Sequence, residues 1–583
     1  MTEPVLGELS VLDDVGPLRR ARAYPATGSA SVLLLPAAAL LGGLVLWPVL
    51  RTVQASVTDP GTGRFVGLVN FRAALHAGGA WTVLGRTLLW AVVVPAIVTI
   101  LGYLLAAASR RTYEGRLVRL ILVAPIAVPL VVTGVVFRLL YDPDPGRGTA
   151  TAVATGILGT SPSFLGPGLV TVALMSAFVW AWVGLAVIVF RAALDGIPAE
   201  LSDVVRAHGG TRLDVFRDAR WRPLVRRTVA VVFVLVALGT ARTFDLILVM
   251  APGSVRDESS VLAVRVWQTS GTGTSGPGAA LGVLWLAAVA AGMLVAALGI
   301  RQSWPPPAAV GTTDGPHRLP ALVRPLPPLA ALAWAFPLLV LVATALHAPR
   351  DAARSGWWTG PLRLDSYREV FGGELLTRSV RFTLVLAVVV TVVVLAAGIC
   401  AAYPIAWLAG PRAQAVGVLL VAAAVVPVQV IAGPVTEVLG VVRLAGTASG
   451  LALVHVALGL PFAVLVLRNA LADVPAAQLR QARLTGRREL AVLWRIARSV
   501  WPAVLAVGVL EFVQVWNDLV VGLLFSGPDG TPLGLFVYGQ ARQFVANSGP
   551  LAATSVVASV LPLVLIISAR RYVVAGLVSG AIR

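Results

Sequence analysis

Two carboxylates of this sequence stand where a carboxylate is costly. Asp245, in TFDLILV (243–249), and Asp518, in WNDLVVG (516–522), sit inside apolar runs. Each lies roughly 17 residues into its run, about 25 Å along a helix. Ionisable groups in such runs are poorly solvated and tend to line an interior path. Phe244 adjoins the first carboxylate; Trp516 and Asn517 adjoin the second. Aromatic faces against sugar C–H groups, with carboxylate and amide groups for the hydroxyls, would suit a polyol. A structural alternative stays open, because Arg242 and Asp245 are spaced to form an i,i+3 ion pair. Trp180, Trp182, Glu511 and Gln514 are weaker candidates for the same path. Tryptophans near a span end are more often interfacial anchors.

What the chain lacks excludes other chemistry. It has no lysine, so all 46 basic residues are arginine. A Walker A loop needs its lysine on the nucleotide phosphates, and any ATP-driven work must draw on hydrolysis by another chain. The one cysteine, Cys400, lies in an apolar run and offers neither an intrachain disulfide nor a thiolate metal site. The five histidines (His76, His208, His317, His347, His455) are scattered without metal-ligand spacing. No catalytic residue, metal or cofactor is expected.

Such carboxylates need a frame, and composition says which. Of 583 residues, 57% are hydrophobic and 13% charged, with a mean hydropathy of +0.86. Soluble domains carry about 25% charged residues. Apolar stretches of roughly 20 residues recur, long enough to cross a bilayer core of about 30 Å. Helices satisfy their own backbone polar groups in lipid, so an all-α polytopic membrane protein is expected. Spans are expected near 31–52, 86–109, 117–140, 169–191, 228–250 and 279–300, then 329–347, 380–408, 415–440, 449–467, 501–525 and 551–569. The stretch WPPPAAVGTTDGPHRLPALVRPLPP interrupts the series and reads as a semi-rigid linker. The expected organisation is a tail (1–30), a six-span half (31–301), the linker (302–328) and a second six-span half with its own tail (329–583).

A net charge of +19 invites a nucleic-acid reading, but the arginines cluster in alternate loops: 110–119, 191–227, the linker, 468–498 and the tail from Arg570. These loops hold 24 of the 46 arginines, the positive-inside pattern. These loops and both termini are therefore assigned to the cytoplasm, the lipid bilayer is the partner, and no nucleic acid is expected. Residues 1–30 carry Glu3, Glu8, Asp13 and Asp14, with Arg19, Arg20 and Arg22 just before the first span. That reads as a cytoplasmic tail ahead of a signal-anchor helix rather than a cleavable leader.

The two halves repeat. FRAALDGIPAEL (190–201) aligns with LRNALADVPAAQL (467–479), VFRDAR (215–220) with LWRIAR (493–498), and VPLVVTG (128–134) with VPVQVIAG (426–433). Parallel repeats of this kind put a translocation path at their interface. The repeat also duplicates a polar segment, IPAELSDVVRAHGG (197–210) and VPAAQLRQARLTGR (474–487). Pro198 suits the first position of a helix, Glu200 and Asp203 its positive end, Arg206 its negative end, and Gly209 its stop. Pro475 and Gly486 keep the same spacing. One such helix could simply lie on lipid headgroups. Two at matched positions favour a paired docking surface for a symmetric partner.

These duplicated segments resemble the cytoplasmic EAA loop of ABC-importer permeases. Asp203, Val204, Val205 and Gly209 take the E-A-A-G places in the first half; Arg480, Gln481, Ala482 and Gly486 take them in the second, with Ile496 at the family's isoleucine. FVGLVNFRAAL (65–75), RTFDLILVMAPG (242–253), VWNDLVVGLLF (515–525) and the closing RRYVVAGLVSGAIR (570–583) are similar to the maltose-type carbohydrate branch. The chain departs from the family in three ways: the first alanines are replaced, the final proline is displaced to Pro223 or Pro502, and Arg480 stands where an acid is usual. The resemblance implies a type I importer permease fold in which two permease subunits are fused. It implies coupling helices docked on an ABC ATPase dimer, an extracytoplasmic solute-binding protein, a carbohydrate as solute, and the cytoplasmic membrane as location. Permeases for iron, thiamine or other small solutes are the nearest alternative. A twelve-span ion-coupled secondary transporter also has two six-span halves but needs no docking helices, and a non-transporting scaffold is the third reading.

Overall fold

The structure, a computed structural model, describes residues 31–109, 115–195, 199–211, 214, 225–241, 243–270, 275–301, 326–407, 410–484, 488–544 and 547–581. The tail 1–30, most of the linker, Pro198, Arg242 and Gly486 lie outside the described residues. Among the described residues, nine helices are long and apolar enough to cross a membrane. Two further apolar helix pairs, Leu120–Ala127 with Leu130–Leu140 and Arg412–Val425 with Val428–Val441, are bent by 112° and 94°. A shorter apolar helix, Thr228–Thr240, stands where the fifth span was expected. All twelve expected positions are helical, but four of them are not single straight spans.

The bends have a local cause. In both pairs the break falls at Val-Pro, Val128-Pro129 and Val426-Pro427. Proline removes a backbone donor and pushes the preceding residue out of the helical region; Val128 has ψ 130°, and the two prolines are themselves extended, Pro129 at ψ 139° and Pro427 at ψ 126°. Proline alone is not sufficient, because Pro95, Pro404, Pro461 and Pro562 lie inside unbroken helices. The expected spans 228–250 and 501–525 are interrupted too. Helix Arg226–Ala241 stops and Asp245–Met250 restarts; Trp501–Trp516 stops and Val520–Phe525 restarts. Apolar content predicts burial at these positions but is blind to such breaks, since both helices of a pair are apolar.

Matched contacts set the register of the two halves. Helix Ala80–Ser109 packs on Val170–Asp195, with Gly102 so close to Ala186 that an added Cβ would collide with it. Helix Glu374–Ala406 packs on Ala448–Ala472, where Gly398 faces Ala463 at the matching place but less tightly, an added Cβ standing 3.3 Å from it. Small residues let helix backbones approach closely in lipid. Farther along the same helices, Thr87 Oγ1 accepts the Leu262 N–H at 3.0 Å and Thr383 Oγ1 accepts the Leu533 N–H at 2.8 Å.

The first span of each half crosses to the other. Ala37, Leu44 and Val45 are buried with residues of helices Glu374–Ala406 and Ala448–Ala472, and Thr52 Oγ1 donates to the Val430 carbonyl at 3.0 Å. In return, Val340, Leu341 and Ala345 join the core built on residues 74–289. There Trp180 Nε1 donates to the Trp334 carbonyl at 2.8 Å, and Trp334 Nε1 to the Trp180 carbonyl at 3.2 Å. A further clasp lies at the end of the bundle away from residues 199–207 and 476–484. Arg138 donates from Nη1 to the carbonyls of Val249 (3.2 Å) and Ala541 (2.8 Å) and sits 4.3 Å from the Phe544 ring centroid. Beside it, Trp357 Nε1 reaches Thr149 Oγ1 at 2.8 Å.

Two outcomes test this packing. Gly102→Val should lower stability by about 1–3 kcal/mol, the usual cost of overpacking, and show as a lower unfolding temperature in detergent. Gly292→Ala, with nothing within 4 Å of an added Cβ, should leave that temperature unchanged. Arg138→Ala, made with Cys400→Ser and Val249→Cys, should make the buried Val249 position reactive to a membrane-impermeant maleimide, which the Arg138 parent excludes.

Candidate solute path and docking helices

The four helix breaks bring the candidate path together. Asp245 is the first residue of helix Asp245–Met250, and Asp518 stands just before helix Val520–Phe525, so both carboxylates occupy the restart of an interrupted span. Asp518 Oδ2 accepts the Gly522 N–H at 3.0 Å, a helix-start contact that suits an anion. The same oxygen is 3.8 Å from Nε2 of His455, which is buried in helix Ala448–Ala472. Sequence reasoning passed over His455, because a lone histidine in an apolar run carries no spacing signal.

Asn517 joins the two halves directly. Its Nδ2 donates to the Ala127 carbonyl at 3.2 Å, at the bend between helices 120–127 and 130–140. That carbonyl is freed by the Val-Pro break, and a buried free carbonyl requires a partner. On the acceptor side, Asp245 Oδ1 and Asn517 Oδ1 are buried without a hydrogen-bond partner. Glu511 is 2% exposed, and neither of its carboxylate oxygens has a partner; they rest against Gly459, one turn along the helix from His455. Buried polar atoms without partners are few in native proteins, and here several share one region. Such acceptors fit hydroxyl donors.

The aromatic residues expected beside the carboxylates are placed differently. Trp516 Nε1 donates to the Ala558 carbonyl at 2.8 Å, and the ring stacks on Phe512 with centroids 5.9 Å apart. Phe244 is buried edge-on to Trp267 at 5.5 Å. In this conformation both rings pack within the protein. Of the weaker candidates, Trp180 is held by Trp334, Trp182 stacks on Phe178 at 5.3 Å, and Gln514 is exposed.

Both duplicated polar segments are helical, at Ala199–Ala207 and Ala476–Leu484. The first ends in a full Schellman closure. The Gly209 N–H bonds the Arg206 carbonyl and the Gly210 N–H the Val205 carbonyl, both at 2.9 Å, with Gly209 at φ +76°. Glu200 lies in its first turn, and Arg206 pairs with Asp203 at 3.0 Å on an exposed face. In the second helix Pro475 immediately precedes the first turn, Arg480 is exposed, and Ala482 is buried. Ala482 and Leu479 belong to the same apolar cluster as Val492, Leu493 and Ile496 of helix Glu489–Ala497.

No family model matches the chain. Individual proteins do. The osmoprotective compounds uptake permease protein GgtD of Synechocystis is 31% identical over 268 residues, which is 43% of this chain and 89% of that protein. The α-glucoside transport system permease proteins AglF and AglG of Rhizobium meliloti are 27% and 30% identical; they cover 43% and 38% of this chain and 76% and 60% of their own lengths. A solved bacterial ABC transporter for alginate import is 17% identical with a TM-score of 0.40, over 46% of this chain and 92% of that one. Each of these permeases matches about two-fifths of the sequence over 60–89% of its own length, which is consistent with two joined permeases, and this chain belongs to the sugar-type ABC transporter permeases.

Proposed function

We propose that this chain is a complete membrane pathway, two importer permeases joined through the linker around 302–328, moving a polyhydroxylated solute inward across the cytoplasmic membrane. The meeting of the helix breaks across the two halves carries the reading: Asn517 on the Ala127 carbonyl, with Asp245 and Asp518 at matched restarts. Discontinuous helices at a repeat interface are where transporters build solute sites. The unpartnered acceptors there match a solute whose hydroxyls all donate, a neutral sugar or glycoside. Family membership removes the ion-coupled secondary transporter. Among the importers, relatives named for α-glucosides and trehalose favour a carbohydrate over iron or thiamine.

Helices Ala199–Ala207 and Ala476–Leu484 are the docking surface for a pair of ATPases, and a solute-binding protein delivers the solute to the opposite end. ATP hydrolysis belongs to the partner, for which the missing lysine is the reason on this side. The arginine-rich loops favour a cytoplasmic position for both docking helices and both termini. Closure of the ATPases would move the two helices, and with them the long spans Val170–Asp195 and Ala448–Ala472 that lead into them.

Tagged chain extracted in mild detergent should carry a Walker-A ATPase, identified by mass spectrometry. Gly209→Val forces a branched side chain into left-handed backbone and should reduce that ATPase several-fold; an extract with no ATPase would overturn the docking assignment. Separately, Asn517→Leu should cut uptake of a radiolabelled α-glucoside or trehalose roughly tenfold, the effect of a buried polar contact worth about 1.4 kcal/mol. Undiminished uptake would move the solute path elsewhere.

A further inference from the structure

The two docking helices are not fastened alike. In the second half, Tyr403 lies near the end of helix Glu374–Ala406 with its ring fully buried. Its hydroxyl donates to Glu489 Oε2 at 2.8 Å, at the first residue of helix Glu489–Ala497. Arg483, in the last turn of the docking helix, reaches Glu489 Oε1 at 3.7 Å and the Tyr403 hydroxyl at 3.5 Å. Three elements therefore share one polar knot: a membrane helix, the docking helix and the helix that follows it. The three groups are mostly shielded, with side-chain exposures of 23% for Arg483 and 16% for Glu489. Charge-assisted hydrogen bonds in such surroundings are stronger and more directional than surface ion pairs.

The register of the two halves shows what stands at the matching place. Gly102 packs on Ala186 as Gly398 packs on Ala463. Five residues after Gly398 comes Tyr403; five residues after Gly102 comes Ala107, which has no side-chain donor. Arg206, the counterpart of Arg483, pairs instead with Asp203 of its own helix, with side chains 61% and 70% exposed. Among the described residues, the first docking helix thus spends its arginine locally, while the second commits it to the bundle.

We propose that Tyr403 is a positioning residue: its phenol, through Glu489 and Arg483, locks the second docking helix to the membrane helix Glu374–Ala406, so that the two halves couple unequally to their partners. The inference rests on the docking reading for its consequence but not for its geometry. A phenol between a carboxylate and a guanidinium fixes both distance and direction, whereas apolar contact through Leu479 and Ala482 allows the helix to slide. Movement imposed on the second docking helix is then passed directly to helix Glu374–Ala406. Movement of the first must travel through the Gly209 turn and helix Val170–Asp195.

The test is spin labelling of the full chain in nanodiscs. With Cys400→Ser removing the native thiol, a nitroxide at Leu484→Cys (87% exposed) reports the second helix and one at Val204→Cys (54% exposed) the first. Tyr403→Phe, which keeps the ring and removes only the hydroxyl, should narrow the room-temperature lines at 484 and leave 204 unchanged. Glu489→Ala should do the same, and adding Tyr403→Phe to it should add nothing further, the signature of a shared contact. Unchanged lines at 484, or equal loosening at both sites, would overturn the latch. The functional arm uses the ATPase that co-purifies: Tyr403→Phe should keep its binding and basal hydrolysis while solute moved per ATP falls several-fold. A loosened helix with unaltered coupling would overturn the unequal coupling, whereas absence of any co-purifying ATPase would sink the docking assignment and leave the latch geometry standing.

Discussion

Backbone groups released at a helix break have no water to turn to inside a membrane, and each must find a partner within the protein. The rest of the structure depends on that constraint. Helix pairs 120–127 with 130–140 and 412–425 with 428–441 free carbonyls at their Val-Pro steps. The Ala127 carbonyl is met by Asn517, itself at the break after helix Trp501–Trp516, and the Val430 carbonyl, left without an in-helix donor because Pro434 stands four residues on, is met by Thr52 of the opposite half. The first bend and the break at Asn517 are thus mutually dependent. A straight-helix bundle could tolerate loose association of its halves; this one cannot, because separating them would strand polar backbone.

The crossed first spans follow the same logic. Residues 32–57 lie on the second half and Pro328–Ala345 on the first, and the reciprocal Trp180–Trp334 bonds fix the second crossing in place. Joining two permeases in one polypeptide keeps these exchanged helices at high effective concentration, which a linker of suitable reach supplies without any new contact. Arg138 completes the closure at one end, holding the carbonyls of Val249 and Ala541 together across the halves. Opening that end requires its guanidinium to leave both carbonyls.

Symmetry holds where packing demands it and lapses at the surface. Thr87 and Thr383, Gly102 and Gly398, and Asp245 and Asp518 keep matched places because each sits in a helix crossing or break that both halves share. The duplicated polar helices diverge in charge and fastening: Asp203 and Arg206 form a local pair in one, and Arg480 is exposed while Arg483 is bound inward in the other. A chain with both halves in one polypeptide has no need to present identical surfaces.

The all-α membrane class, the twelve helical positions, the repeat and the two polar helices were legible in the sequence, because hydropathy, arginine placement and Pro-to-Gly spacing act locally. The Schellman end at Gly209 was legible for the same reason. Tertiary structure alone decided where the spans break, since the residues on either side are equally apolar. It decided that Trp516 and Phe244 pack inward, that first spans exchange, and what His455, Glu511 and Tyr403 meet. A histidine, a glutamate or a tyrosine in an apolar run looks the same whether its partner is lipid-side backbone or a charge on another helix; only the crossing of helices, set by small residues such as Gly102 and Gly398, determines which group it meets.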